Sequence, residues 1–382
     1  MSAPLRIAVL LNPFTLARES GDHAPRLSRE LASLGHEVRV FGGAVAPEGS
    51  SSDALTPRRF APDAVLAYDA LSPAAWLGAR TARALSVPLV LVEGGGRSGR
   101  GLLSRACLVV GERLWGSYVR RTASALVALD AVASARAASV GFPQDRRIVL
   151  HSGIDAEEYR PGISSGLIQR HAISGRILLY VGRIERNRGL ALLVQAFART
   201  VGQRDDWSLV LVGEGSARGE TRALVDRLGI GSRVHWLGRV KDEELPGLFS
   251  ASTLLAVPAL DDSVRGRNIV RAMASAVPVI ASDRAPVRAL VEPDVSGLLV
   301  PPGDLEAWVE ALRRASMSPD ARRRWGRRAR EIALGRLAWP QVARLFESLL
   351  FAERAKPLPA DAELRAEIGS GVEEPALEAE RA

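Results

Sequence analysis

Twelve short apolar runs of strand length recur along this chain, and most are separated by segments of helical periodicity. Six precede His151: Arg6–Leu11, Glu37–Phe41, Ala64–Ala67, Pro88–Val92, Leu126–Leu129 and Ile148–Leu150. Six follow Gly162: Ile177–Val181, Leu209–Val212, Val234–Trp236, Thr253–Val257, Val277–Ala281 and Gly297–Val300. Sustained strand–helix alternation predicts parallel sheets covered on both faces. The segment His151–Gly162, HSGIDAEEYRPG, breaks the rhythm and has linker composition. The expected fold class is therefore α/β, with two Rossmann-like domains, 1–155 and 156–340, whose sheets face across a cleft. A helix over 341–355 is expected to cross back to the first domain. The tail 356–382 is rich in Pro, Ala and Glu, and reads as disordered. Thr15–Asp22 reads as a loop before a helix His23–Leu34, Gly42–Arg59 as a surface loop, and Leu102–Arg121 as largely helical.

Ligands in open α/β sheets sit outside the carboxyl ends of the strands. In the second block those ends carry Gly182-Arg183, Gly213-Glu214-Gly215, Gly238-Arg239 and the loop inside 258–283, PALDDSVRGRNIVRAMASAVPVIASD. Gly266 opens a helix there, with Ile269, Val270 and Met273 at helical spacing. A helix start presents unpaired N–H groups and the positive end of the macrodipole, which suits an anion. Gly266 would let a phosphate approach the backbone, and Arg265 and Arg267 add charge. The plainer reading is a capped helix with exposed arginines.

Composition narrows the function classes. A net charge of +8, carried mainly by arginine, favours phosphates, acidic lipid surfaces or nucleic acid as partners. No nucleic-acid motif is visible and aromatics are only 5%, so nucleic acid is the weakest of the three. Cys107 stands alone, which excludes a disulfide framework and a cysteine metal cluster. The N-terminal run lacks a basic flank and a cleavage pattern, so it reads as a strand, and a cytoplasmic setting fits.

At these residues the sequence resembles the retaining GT-B glycosyltransferases of family four. Val181-Gly182-Arg183 with Arg188-Gly189, Val212-Gly213-Glu214-Gly215, and Val234 to Gly238 match that family's segments. So do Gly266-Arg267-Asn268, Ala272-Met273-Ala274, Pro278-Val279-Ile280, Gly297 to Asp304, and Gly35-His36-Glu37-Val38 in the first block. The resemblance runs from about Arg6 to Phe351. It implies transfer of a sugar, with retention, from a nucleoside-diphosphate sugar to a hydroxyl acceptor in the manner of envelope-polysaccharide synthesis. Attack would come on the face the leaving group vacates. Arg183 and Arg188 would hold the donor diphosphate, helped by the backbone of Gly266, Arg267 and Asn268. Gly182, Gly215, Val240 and Arg271 would border the nucleotide. No cofactor or metal is implied, because arginines and a helix start supply the positive charge. An ion pair with Glu185 or another acid is the competing role for Arg183 and Arg188.

The departures from that family are specific. Its two glutamates eight positions apart fall on Ser263 and Arg271 here. Arginine cannot accept hydrogen bonds from ribose hydroxyls. Asp261 and Asp262 lie nearby, and Asp262 is the candidate beside the donor sugar. The family's first-domain histidines find no counterpart: Tyr68-Asp69 and Glu93 stand near those positions. His23 and His36 read as capping or surface residues. Glu93 is the candidate acceptor-side acid or base. The alternative is a catalytically degenerate GT-B protein acting as a nucleotide-binding or partner module; a GT-B epimerase fits the motifs less well. Finally, residues 97–121 mix arginines with Leu102, Leu103, Leu114, Trp115 and Tyr118. That composition suits peripheral contact with an acidic membrane, and the plainer reading is a helix packed by its leucines with its arginines in water; a lipid-linked acceptor is what the resemblance implies.

Overall fold

The structure, a computed structural model, describes residues 3–12, 19–42, 57–94, 112–202, 206–264 and 266–357. The expectations for Arg265, Cys107, the tail beyond 357 and residues 97–111 lie outside them. The chain divides into two compact units: residues 1–129, 133–150 and 343–382, and residues 130–132 and 151–342.

The first unit is built on β1 (Arg6–Leu10), β2 (Glu37–Phe41), β3 (Ala64–Tyr68), β4 (Leu89–Glu93), β5 (Ala125–Ala128) and β6 (Arg147–Val149). They pair in parallel in the order β2-β1-β3-β4-β5-β6. The inner strands AVLAY, LVLVE and ALVA are buried along their whole length. Continuous apolar runs are the signature of strands covered on both faces. The edge strand EVRVF is half exposed. Helix Pro73–Leu85 starts at Ser72, whose side chain accepts from the Ala75 amide at 3.1 Å, and has Pro73 in its first turn. Its buried face is Ala75, Gly78, Ala79 and Ala82, small enough to lie close on the sheet.

The second unit contains β7 (Arg176–Val181), β8 (Trp207–Val212), β9 (Val234–Gly238), β10 (Leu254–Val257), β11 (Val279–Ser282) and β12 (Gly297–Val300). Their parallel order is β12-β11-β10-β7-β8-β9. Side chains of β7 alternate between two cores: Leu179 joins one, Leu178 and Tyr180 the other. Both faces are thus covered, and every strand expected from the sequence is present.

Four expectations need correction. The first helix begins at Glu19, inside the expected loop 15–22, and carries Pro25 in its interior. A short helix, Pro57–Phe60, interrupts the expected surface loop 42–59, because Pro57 and Phe60 are buried. The segment 151–162 is more than a linker. The Ile154 amide donates to the Leu337 carbonyl at 2.8 Å, the Trp339 amide to the Ile154 carbonyl at 3.2 Å, and Ile154 and Tyr159 are buried in the second unit's core. His23 and His36 are buried, not at the surface. His23 Nδ1 lies 2.8 Å from the Tyr68 hydroxyl. His36 Nδ1 accepts from the Leu5 amide at 3.0 Å, so its proton sits on Nε2, which donates to Glu347 at 3.2 Å.

Glu347 lies on the last helix, Trp339–Arg354, which joins the first unit from Ala343 onward. Phe346 packs near the His23 ring, and Arg354 pairs with Asp63 at 2.8 Å. Among the described residues, no helix is long and apolar enough to cross a membrane.

Candidate active site

The carboxyl ends of β10, β7, β8 and β9 are neighbours, so the turns that follow them line one edge of the second sheet. Backbone hydrogen bonds lock these turns together. The Gly182 amide donates to Val212 at 3.0 Å, Gly213 to Gly238 at 2.7 Å, Ile184 to Glu214 at 3.0 Å and Leu260 to Asn187 at 3.0 Å. Gly213 has φ +131, and a Cβ on it would stand 1.9 Å from the Gly182 carbonyl oxygen. Only glycine can occupy that crossing. Two residues on, a Cβ on Gly215 would stand 2.1 Å from the Ile184 carbonyl oxygen, and Val240, after β9, packs partly buried against the core.

The segment 258–264 is pinned to the turn Arg186–Arg188 by Asp261. Its carboxylate accepts from Asn187 Nδ2 at 2.7 Å, from the Ser263 hydroxyl at 2.5 Å and from the Ser263 amide at 3.2 Å. Burial favours the neutral acid here. The hydrogen bonds from Ser263 and Asn187, joined by the Arg188 charge, outweigh it and hold Asp261 below the ordinary aspartate value. Arg188 then donates from Nη1 to the Ser263 carbonyl at 3.1 Å. Asp261, Asn187 and Ser263 were not singled out as site residues in the sequence. The Asp-x-Ser spacing, in which a carboxylate reaches an amide two residues on, is the signal that could have marked Asp261.

Helix Arg267–Ala274 begins at Gly266 without a side-chain cap. Ile269, Val270 and Met273 are buried, as the spacing predicts. A Cβ on Gly266 would lie 2.2 Å from Leu290 Cδ1, so a side chain there would have to push the end of Leu290 aside, independently of any phosphate. Asn268 Nδ2 donates to the Val181 carbonyl at 2.9 Å, tying the helix start to the end of β7. One turn later Arg271 lies with its guanidinium 5.3 Å from the Tyr159 ring centre, 3.4 Å from Asn268 Oδ1 and 3.4 Å from Asp242 Oδ1. Tyr159 is pushed up to about 12, by burial first, with Arg271 pulling it down.

The structure therefore gathers Gly182, Arg183, Arg188, Gly215, Gly266, Arg267, Asn268 and Arg271 around adjoining strand ends of one unit. Arg183 does pair with Glu185, at 2.7 Å. Its carbonyl accepts from the buried Tyr180 hydroxyl at 2.6 Å. The Tyr180 phenol is raised, by burial first, against the pull of Arg188 and Arg183, which places both guanidinium groups within electrostatic reach of one point. Asp262 is exposed and lies 3.8 Å from Arg284. Glu93 belongs to the other unit. It ends β4 as a buried residue, with Oε2 accepting from the Ala70 amide at 3.0 Å and Oε1 3.3 Å from Arg136. A small cavity beside it is lined by Ala70, Leu71, Arg120 and Phe142.

The sequence profile of the Glycosyl transferases group 1 family matches residues 168–332. A D-inositol 3-phosphate glycosyltransferase of Saccharomonospora viridis is 32% identical over 200 residues, which cover 49% of this chain and 46% of that protein. The chain spans about half the length of the curated relatives it matches. Among solved structures, a glycosyltransferase from Rickettsia africae aligns with a TM-score of 0.69 at 13% identity, covering 93% of this chain and 100% of its own. Anabaena HepE in complex with UDP and glucose aligns with a TM-score of 0.64 at 20% identity, covering 91% of this chain and 100% of its own. The two six-stranded parallel sheets are the GT-B fold that these solved structures share, and residues 168–332 are similar in sequence to the glycosyl transferases group 1 family.

Proposed function

We propose that this protein transfers a sugar, with retention of anomeric configuration, from a nucleoside-diphosphate sugar to a hydroxyl acceptor. One observation carries the reading. An uncapped helix start, tied by Asn268 to the end of β7, adjoins the Arg183 and Arg188 turns on the same sheet edge. Guanidinium groups and free amides are the donors a diphosphate needs. They also stabilise the charge that develops on the departing nucleotide. The same donors leave no requirement for a metal, so added EDTA should not change the rate. Asp262, exposed and only loosely paired with Arg284, is the carboxylate free to meet the donor sugar. Glu93, held by the Ala70 amide and Arg136, is a fixed acceptor for an incoming hydroxyl proton. The setting is cytoplasmic, with peripheral membrane contact through 97–121 and a lipid-linked acceptor.

Calorimetric titration with UDP, GDP and ADP, joined to a donor-hydrolysis assay, tests this. One nucleotide should bind, and Arg188→Ala should weaken it by about tenfold, the loss of one charge-assisted contact. Binding without turnover of any donor would favour the degenerate module. No binding at all would remove both readings.

A further inference from the structure

The first unit carries a surface that neither the fold nor the donor chemistry explains. Helix Pro73–Leu85 presents Trp76, Arg80 and Arg83 at i, i+4 and i+7, with Leu77 beside them, on the face opposite its alanines. Trp76 is 37% exposed and Leu77 40%. Helix Ser117–Thr122 packs on this helix, and the turn Glu112–Gly116 before it holds Leu114 at 70% exposure. The patch is continuous. Arg80 lies over the Trp76 ring at 4.9 Å, Arg83 over Tyr118 at 6.0 Å, and Arg58 donates to the Arg80 carbonyl at 3.3 Å. Residues 57–60, 73–85 and 112–122 contain seven arginines and one acid, Glu112, which Arg120 neutralises at 2.5 Å. Arg58, Arg59, Arg80, Arg83, Arg113 and Arg121 have no acidic partner among the described residues. The arginine-rich helix Pro319–Ile332 differs: there Arg323 pairs with Asp320 and Arg328 with Glu331.

We propose that this face, centred on Trp76, Leu77, Arg80 and Arg83, docks on an anionic lipid bilayer. Arginines without an acidic partner among the described residues suit phosphate headgroups, and an exposed tryptophan with leucines suits the layer just beneath them. A soluble polyanion would satisfy the arginines and leave Leu114 and Trp76 in water. A second copy of the same face would set arginines against arginines. The inference deepens the membrane contact proposed above. It moves the centre of that contact onto residues 57–60 and 73–85, outside the segment 97–121.

Co-sedimentation of the full chain with phosphatidylcholine vesicles, with and without phosphatidylglycerol, tests it. The protein should pellet only with the anionic vesicles. The double changes Arg80→Glu with Arg83→Glu, and Trp76→Ser with Leu77→Ser, should each lower partitioning by about tenfold. The pair Arg324→Glu with Arg327→Glu, on the arginine-rich helix, should leave it unchanged. No binding to anionic vesicles, or unchanged binding by either surface variant, overturns the proposal. Heparin binding that survives Trp76→Ser with Leu77→Ser while vesicle binding stays absent marks a polyanion surface and also overturns it. Titration of every variant with UDP, GDP and ADP keeps the two readings apart. Vesicle binding without binding of UDP, GDP or ADP sustains the surface and removes the transferase.

Discussion

Replacing Asp261 tests whether the donor-side loop is set by one carboxylate. Asp261→Ala removes acceptance from Asn187 at 2.7 Å and from Ser263 at 2.5 Å and 3.2 Å. A hydrogen bond to a charged group contributes roughly 1.5–3 kcal/mol, but these three share one partly exposed carboxylate and do not add, so the total is about 2–3 kcal/mol. That corresponds to a melting temperature lower by roughly 5–10 °C for a unit of this size. The Ser263 carbonyl holds Arg188 at 3.1 Å, so affinity for whichever of UDP, GDP and ADP the protein binds should fall as well, by about three- to tenfold. The charge adds a pH signature. Asp261 is held below its ordinary value, so its stabilisation is complete above about pH 4 and is lost as pH falls through the lower folded value. The stability gap between wild type and Asp261→Asn should therefore be flat above that point and close on acidification. Thermal melts from neutral to acid pH, with nucleotide calorimetry at neutral pH, measure both. Unchanged melting and nucleotide affinity in Asp261→Ala, or a gap that ignores acid, would refute the clamp.

Two further changes probe the same edge. Gly213→Ala places a Cβ 1.9 Å from the Gly182 carbonyl oxygen and should destabilise by about 3 kcal/mol or more, whereas Gly229→Ala, with φ +64 and open space around it, should cost only about 1 kcal/mol; equal melting temperatures would contradict the crossing geometry. Tyr180→Phe deletes the 2.6 Å bond to the Arg183 carbonyl and should cost about 1 kcal/mol at neutral pH. The raised Tyr180 phenol stabilises the fold below about pH 10 and that contribution fades as pH climbs through the folded value, so Tyr180→Phe should melt with less alkaline sensitivity in a pH series.

The strands were readable because a parallel strand buried on both faces needs an unbroken apolar run, and AVLAY, LVLVE and RILLYV provide one. The start of the first helix was not, because Ser20-Gly21-Asp22 and Pro25 have the composition of a turn. Burial of Ile154 and Tyr159 depends on Leu337 and Phe249, far along the chain, and single apolar residues in a polar segment do not announce such partners. The same distance hides the histidines: His23 meets Tyr68 45 residues away and His36 meets Glu347 311 away. Asp261 and Asp262 are adjacent and chemically alike. Which one turns inward is decided by Asn187, 74 residues earlier. The glycine turns and the arginines beside them were legible, because parallel topology alone places successive strand ends on one edge.

Arg271 is where the chain departs most sharply from the family pattern, and its surroundings say what it is not. Its side chain is only 13% exposed, yet both polar contacts are long, 3.4 Å to Asn268 and 3.4 Å to Asp242, and Asp242 is 81% exposed. An ion pair with so exposed an acid contributes about 0–1 kcal/mol. The stack on Tyr159 contributes on the order of 1 kcal/mol. The guanidinium is therefore held mainly by packing, and it offers no acceptor to a nucleotide's hydroxyls. Arg271→Glu supplies two acceptor oxygens one turn beyond Asn268, and Arg267, which also acts on Tyr159, remains to offset the new charge. Affinity for the nucleotide that the protein binds should rise, by about threefold or more if a single ribose hydrogen bond forms. Arg271→Ala separates gain of an acceptor from loss of a cation, and should leave affinity within about twofold. A tenfold fall in both variants would show that the guanidinium itself grips an anion, and Arg271 would then join Arg183 and Arg188 among the proposed phosphate ligands.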